Sequence, residues 1–387
     1  MQSMKKTVCA SLILALMTAS IMAADYETKG TVTFGITPAE KTVDLKTGDT
    51  DEDFGGAYTV GDFALSNDKI SVAAKIYYRT QATDNADDAA QKMEIKKAYI
   101  RYRPFGNNLL EVSGGKLYSY YLPGNFFMLS EIYTGASRWG KTGFGIKSEY
   151  NGFTFGLGLP VTESYVTYES SFGLNGAVVY DFAKNFAVPV KLGADVLYTK
   201  TKTTDSKTKV TVKDEEYAKT VSLYWTPKLT GFISKTALTL SYSHNAEPFV
   251  ASSIFKNVAN YSNSDLKLCQ FGSINWRNNF GPVQFIFEGE AGHSIDGDMI
   301  PLYAGTQLLI PVAGPVSFKP RFQYYAALNS ADSDASRRAY EVYPRLWITA
   351  GRYTVSVGAD FADRQITTDS WKWEWSVPLY VEYKIGK

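Results

Sequence analysis

Beyond its first two dozen residues the chain alternates apolar and polar side chains with a period of two, almost without interruption. A strand projects successive side chains to opposite faces, so this pattern prescribes strands with one apolar and one polar face. Ile70, Val72, Ala74, Ile76 and Tyr78 are apolar, while Lys75 and Arg79 fall on the other side. Val190, Leu192, Ala194, Val196 and Tyr198 alternate with Lys191 and Asp195, and Val316, Phe318, Pro320, Phe322 and Tyr324 with Lys319, Arg321 and Gln323. Tyr340, Val342, Pro344, Leu346 and Ile348 stand against Glu341, Tyr343 and Arg345. The last strand sets Trp373, Trp375, Val377, Leu379, Val381, Tyr383 and Ile385 against Glu374, Ser376, Tyr380, Glu382 and Lys384.

Composition narrows the class further. The 387 residues include 27 Tyr, 22 Phe, 7 Trp and 31 Gly, a balance that favours an all-β protein. Lys+Arg number 40 against 39 Asp+Glu, which argues against a nucleic-acid binder. Two His and two Cys cannot furnish a zinc or iron–sulfur site without carboxylate help, so neither metal nor cofactor is expected.

Lys5 and Lys6, the apolar run from Val8 to Met17, and small residues at Ala19, Ser20, Ala23 and Ala24 have the layout of a secretory signal peptide. The expected division is a signal at 1–24 and one β-domain at 25–387. Cys9 would leave with the signal, so Cys269 would have no intramolecular disulfide partner. No later run approaches the ~18 apolar residues of a spanning helix, so any membrane crossing must be made by strands.

Short turns are expected at 67–68, 104–108, 151–152, 181–185, 277–281, 312–314 and 350–351. Longer polar segments, expected as loops, lie between them at 37–56, 80–92, 118–140, 161–169, 199–219, 245–265, 293–298, 326–338 and 362–370. Tight turns at one end and long loops at the other, with about eighteen strands and sixteen as the alternative, suit a membrane barrel. Tyr78, Tyr102, Tyr150, Tyr180, Trp225, Tyr340, Trp373 and Tyr383 place aromatic rings near the limits of the apolar face, as membrane interfaces select. The expected fold is a single closed antiparallel transmembrane β-barrel, because closure alone pairs every backbone group in hydrocarbon. Its polar interior, with Gly143, Gly145, Thr154, Gly156, Ser241 and Ser356, cannot pack dry and surrounds water.

The charges of that interior set its preference. Strand parity directs Lys75, Arg79, Lys97, Arg101, Arg103, Lys147, Lys191, Lys319, Arg321 and Arg345 inward, with Glu111, Asp195, Glu288, Glu290 and Glu341 as their counterparts. The excess of cations implies weak anion selectivity; pairing across strands would leave a nearly neutral lumen instead. His244 and His293 end nearby strands close to Asp296 and Asp298, the arrangement a surface hydrolase or metal site would use, though solvated loop histidines are the commoner meaning. The polar segment 199–219 offers an alternative role, as an adhesin or binding surface.

Signal, strand count, turn and loop asymmetry and aromatic girdles together resemble those of the bacterial outer-membrane porins over the whole mature chain. The resemblance implies a diffusion pore for small hydrophilic solutes and ions, without catalytic residues. It also implies contact with outer-membrane lipids and insertion by the barrel-assembly machinery, and it admits a homotrimer. In such proteins the third long segment folds inward as a constriction; here it carries Tyr120, Tyr121, Pro123, Gly124, Phe126 and Phe127. Two features depart from the porin pattern: the acidic Pro-Glu-Phe-Gly-type signature of that loop is absent, and the chain ends Ile385-Gly386-Lys387 instead of in Phe. N-terminal sequencing of the protein recovered from bacterial envelopes should begin at Ala24 or Asp25.

Overall fold

The computed structural model describes residues 26–53, 56–80, 92–116, 142–164, 169–186, 190–204, 211–227, 237–246, 269–332, 336–367 and 370–386, with isolated positions at 188, 248, 250, 266 and 334. The segment expected to be a signal, 1–24, and the residues from Tyr120 to Phe127 expected to form a constriction lie outside the described residues.

Among the described residues there are twenty-two strand segments. The first nine are β1 (Glu27–Thr37), β2 (Glu40–Asp44), β3 (Thr50–Asp53), β4 (Gly56–Ser66), β5 (Ile70–Thr80), β6 (Lys92–Tyr102), β7 (Glu111–Lys116), β8 (Thr142–Tyr150) and β9 (Phe153–Ser164). Next come β10 (Glu169–Asp181), β11 (Val190–Thr204), β12 (Thr211–Pro227), β13 (Ala237–Ala246), β14 (Cys269–Phe280), β15 (Val283–Ser294) and β16 (Met299–Ala313). The chain finishes with β17 (Val316–Asn329), β18 (Arg337–Ala350), β19 (Tyr353–Gly358), β20 (Asp360–Thr367), β21 (Ser370–Ser376) and β22 (Leu379–Ile385). Every pairing is antiparallel, as successive hairpins require. No helix among the described residues is long and apolar enough to cross a membrane.

The ladders follow chain order. β1 pairs with β4, each segment from β4 to β18 pairs with the next, β18 pairs with β19 and β20, β19 with β22, and β22 with β1. β2 and β3 pair with each other, and β2 also pairs with β21. These last segments prolong their neighbours: β1 runs into β2 across Pro38–Ala39, β19 into β20 across Ala359, and β21 into β22 across Val377–Pro378. The breaks sit side by side, because the Ala359 N–H donates to the Pro344 carbonyl at 3.2 Å and the Val377 N–H to the Ala39 carbonyl at 3.1 Å. Pro320 stands opposite Pro344, so the row of interruptions extends to β17.

Most short turns fall where expected, for local reasons; the exception is 277–281, where β14 runs on to Phe280 in register with β15 and the turn shrinks to 281–282. Asn151 and Gly152 both take positive φ, 47° and 86°, as a two-residue hairpin matched to strand twist requires. Asn67 closes its turn by accepting the Ile70 N–H on its carboxamide oxygen at 2.7 Å. Two of the longer polar segments, in contrast, are largely strand. Much of 37–56 is β2 and β3, joined by a turn at 45–49, and β11 and β12 cover all but 205–210 of the segment 199–219. In that turn the Thr47 and Lys46 N–H groups donate to the Asp44 carboxylate and hold it below its ordinary pKa. Polar residues on both faces read as loop, yet Thr is a favourable strand residue and a ladder can form without an apolar face. In the β11–β12 extension the register sets Lys200 opposite Glu216 and Lys202 opposite Asp214.

One bulge changes the faces of β6. Lys75 stands opposite Lys97, whereas Ile76 stands opposite Ile95, so Lys96 is extra and the alternation changes phase around it. Met93 and Ile95 thereby join Ile100 and Tyr102 among the exposed apolar side chains. Gly115 in β7 has φ of 120°, and an added Cβ would lie 2.3 Å from the Ala98 carbonyl oxygen. Gly115→Ala should lower stability by roughly 1–3 kcal/mol, read as a lower urea midpoint of the refolded chain. Gly114→Ala, whose new methyl meets Phe144 at an ordinary 3.5 Å, should leave that midpoint nearly unchanged.

Candidate functional site

The register divides the sheet into two chemically distinct faces. Leu346, Val357, Leu379 and Ile36 are mutual neighbours across β18, β19, β22 and β1, and Phe155, Val178 and Ala194 across β9, β10 and β11. Large apolar residues of this face are exposed: Phe144 by 66%, Ile100 by 59% and Tyr150 by 68%. The opposite face carries most of the charges, with Asp363 beside Tyr340 and Lys41 beside Trp375 as exceptions on the apolar side, and three parts of it differ.

The first part, on β4 to β8, is rich in cations that share carboxylates. Lys97 Nζ donates to Asp62 Oδ1 at 3.1 Å, and Lys75 lies 4.0 Å from the same carboxylate. Arg101 and Arg103 each reach Glu111 at 2.9 Å, one on either oxygen. Lys147 pairs with Glu149. The register places Arg79 between Tyr58 and Lys92 on this face. Lys191 lies further along the sheet, 3.4 Å from Asp181, and Asp195 stands between Ala177 and Ser222.

The second part, on β14 to β18, is acidic and covered. Glu288 has no exposed surface, and it accepts from Asn275 Nδ2 at 2.9 Å and from Tyr303 Oη at 3.5 Å. Gln323 Nε2 donates to the Tyr303 hydroxyl at 2.9 Å, and Ser273 Oγ reaches Glu290 at 3.5 Å. Glu341 accepts from Tyr325 Oη at 3.2 Å and from Tyr343 Oη, with Arg364 at 3.4 Å. Satisfied in this way, the buried carboxylates avoid the cost of an unpaired charge.

The third part crosses the joint between first and last strands. Asp360 binds Arg345 through both oxygens, with Nη2 at 2.7 and 2.5 Å and Nε at 3.0 Å. The Arg345 guanidinium also lies 5.5 Å from the Tyr343 ring and 4.9 Å from the Tyr380 ring. Arg321 stands over the other side of this group, 4.1 Å from Tyr343, and Lys319 over Trp347 at 3.7 Å. Tyr380 leads on to Tyr58 at 5.8 Å, and Tyr58 to Tyr77 at 5.5 Å.

The register therefore sets the fifteen charged positions read from parity on one face of the sheet. Four of their acidic partners, Asp62, Glu149, Asp181 and Asp360, are not among the acids that parity picked out. Asp62 and Asp360 occupy the same parity as the cations they bind, a signal that was present but overlooked. His293 is engaged locally: its Nδ1–H donates to the Ser294 carbonyl at 2.8 Å and its Nε2 pairs with Gln270. Among the described residues, no group of three or more His, Cys, Asp or Glu is placed to hold a metal ion.

Among solved structures, this fold is that of bacterial outer-membrane β-barrel proteins, in keeping with an outer-membrane location. OpdK, an outer-membrane protein of Pseudomonas aeruginosa, superposes with a TM-score of 0.55 at 11% identity, covering 93% of this chain and 99% of its own. OccAB1 of Acinetobacter baumannii gives 0.52 at 11% identity over 92% and 97% of the two chains. Wzi of Escherichia coli, described as a carbohydrate-binding β-barrel involved in group 1 capsule assembly, gives 0.50 at 11% over 96% and 87%. No family model and no curated protein matches the chain.

Asp360→Ala should cost roughly 1.5–3 kcal/mol by stripping Arg345 of its charged hydrogen bonds. Combining Arg345→Met with Asp360→Leu should recover most of that loss, and urea unfolding of the refolded variants measures both.

Proposed function

We propose that the sheet closes into an eighteen-stranded outer-membrane barrel that acts as a water-filled channel for small hydrophilic solutes and ions. The observation that carries this reading is the division of faces in register, with exposed apolar residues on one side and nearly all the charge on the other. A sheet with an exposed apolar face suits hydrocarbon outside and water inside. The pairing of β22 with β1 supports closure. Counting β1 with β2, β3 with β4, β19 with β20 and β21 with β22 as single strands reduces twenty-two segments to eighteen.

The apolar band also has the right height. Tyr383, whose ring lies tilted 4.9 Å from that of Tyr353, and Trp373, beside Phe361, stand ten positions apart on one face. Ten residues at about 3.3 Å each, tilted by about 40°, rise roughly 25 Å, the apolar height of such barrels. Lipids would cover this band, and the cell's barrel-assembly machinery would insert it.

Weak anion preference is supported by the four cations Lys75, Lys97, Arg101 and Arg103, which share the two carboxylates Asp62 and Glu111. Elsewhere the pairing is nearer one to one, as at Arg345 and Asp360. Planar-bilayer recording of the refolded mature chain should give ohmic steps and a reversal potential of anionic sign in a salt gradient. Asp62→Asn should move that potential further the same way. A cationic potential would refute the selectivity. Silence from a correctly folded, heat-modifiable barrel would refute the channel and favour a surface-binding role.

A further inference from the structure

We propose that the continuous row of Tyr rings and guanidinium groups from Arg321 to Tyr77 is a binding subsite for a neutral, ring-faced polyol, an oligosaccharide being the type. The proposal rests on the channel reading above, since it places the row on the wall of the lumen.

Three observations carry it. The row is unbroken across one face: Arg321, Tyr343, Arg345, Tyr380, Tyr58 and Tyr77 follow one another at separations of 4.1 to 5.8 Å. The backbone is also cut away beneath it. An added Cβ at Gly35 would lie 2.3 Å from Tyr58 Cζ, and one at Gly358 would lie 2.7 Å from Arg345 Cγ. Tyr58 and Arg345 therefore lie along the wall instead of standing out from it, and each member of the row is half-buried. Finally, the charge at the centre is cancelled, because both oxygens of Asp360 hold Arg345.

This chemistry suits a sugar better than an ion. A pyranose ring presents an apolar C–H face of weakly positive character, which sits on the negative face of an aromatic ring. Its hydroxyls both donate and accept, so a bound Arg–Asp pair and tyrosine hydroxyls can serve them together. An anion would be drawn instead to the cation-rich wall of β5 to β7. The half-exposed row keeps water beside it, so a solute can be held and released along it.

The test uses the full mature chain in a planar bilayer, with maltohexaose as the neutral probe and benzoate as the charged aromatic comparison. Maltohexaose should interrupt the ion current in a concentration-dependent way. Tyr58→Ala and Tyr380→Ala should each weaken its apparent affinity by about tenfold, whereas Tyr58→Phe, which keeps the ring, should change it little. Gly35→Ala, which pushes Tyr58 off the wall, should act like Tyr58→Ala. Heat-modifiable gel mobility verifies that each variant is folded. Open steps without interruption by maltohexaose, interruption indifferent to both alanine variants, or interruption by benzoate alone would each overturn the subsite. If no steps appear, the channel reading fails by itself, and calorimetric titration of the detergent-folded protein with maltohexaose decides the subsite. Heat lost in Tyr58→Ala would sustain it, and no heat with the unaltered chain would overturn it.

Discussion

The structure depends on the antiparallel backbone ladder. Each strand gives its N–H and C=O groups to two neighbours, and the register of those bonds decides which side chains share a face. A one-residue slip anywhere would exchange apolar and charged residues over a whole strand. The bulge at Lys96 shows how firmly the faces are held: the chain takes up an extra residue so that Ile95 and Met93 stay with their apolar neighbours. From this one constraint follow the exposed apolar band, the segregation of charge opposite it, and the convergence of residues distant in sequence such as Arg345 and Tyr58.

The polar face is uneven, and that unevenness carries the functional argument. Its cation-rich side shares two carboxylates among four basic groups, while its acidic side hides Glu288 and Glu341 among Tyr and Asn partners. Between them, guanidinium groups and rings lie flat on the wall. In the channel proposed above, these three neighbouring environments on one face would offer a solute different interactions.

Much of this was legible because strand parity is a simple code. The short turns, the apolar face and the face of every charged residue named in advance could be read from a period of two. The extents of the strands could not, since 37–56 and 199–219 lack an apolar face and their pairing partners are distant or invisible to periodicity. The bulge escaped for a similar reason: Lys96-Lys97 looks like an interruption until Lys75 and Ile76 supply the register. The ring row escaped too, because Tyr380, Tyr58 and Tyr343 become neighbours only when first and last strands meet. Tyr is also so common on strands that its placement on the polar side gave no signal of its own.

The row of strand interruptions has a mechanical meaning. Proline lacks an amide donor, so Pro320, Pro344, Pro378 and Pro38 remove ladder bonds from nearly one height on adjacent strands. The wall is thereby creased at the joint between first and last strands, while the ladders above and below it stay intact. Among the described residues beyond the crease, β2, β3, β20 and β21 pair with one another and reach the rest of the sheet through β18 alone. Any opening of the joint would therefore begin at that height, where the ladder bonds are fewest.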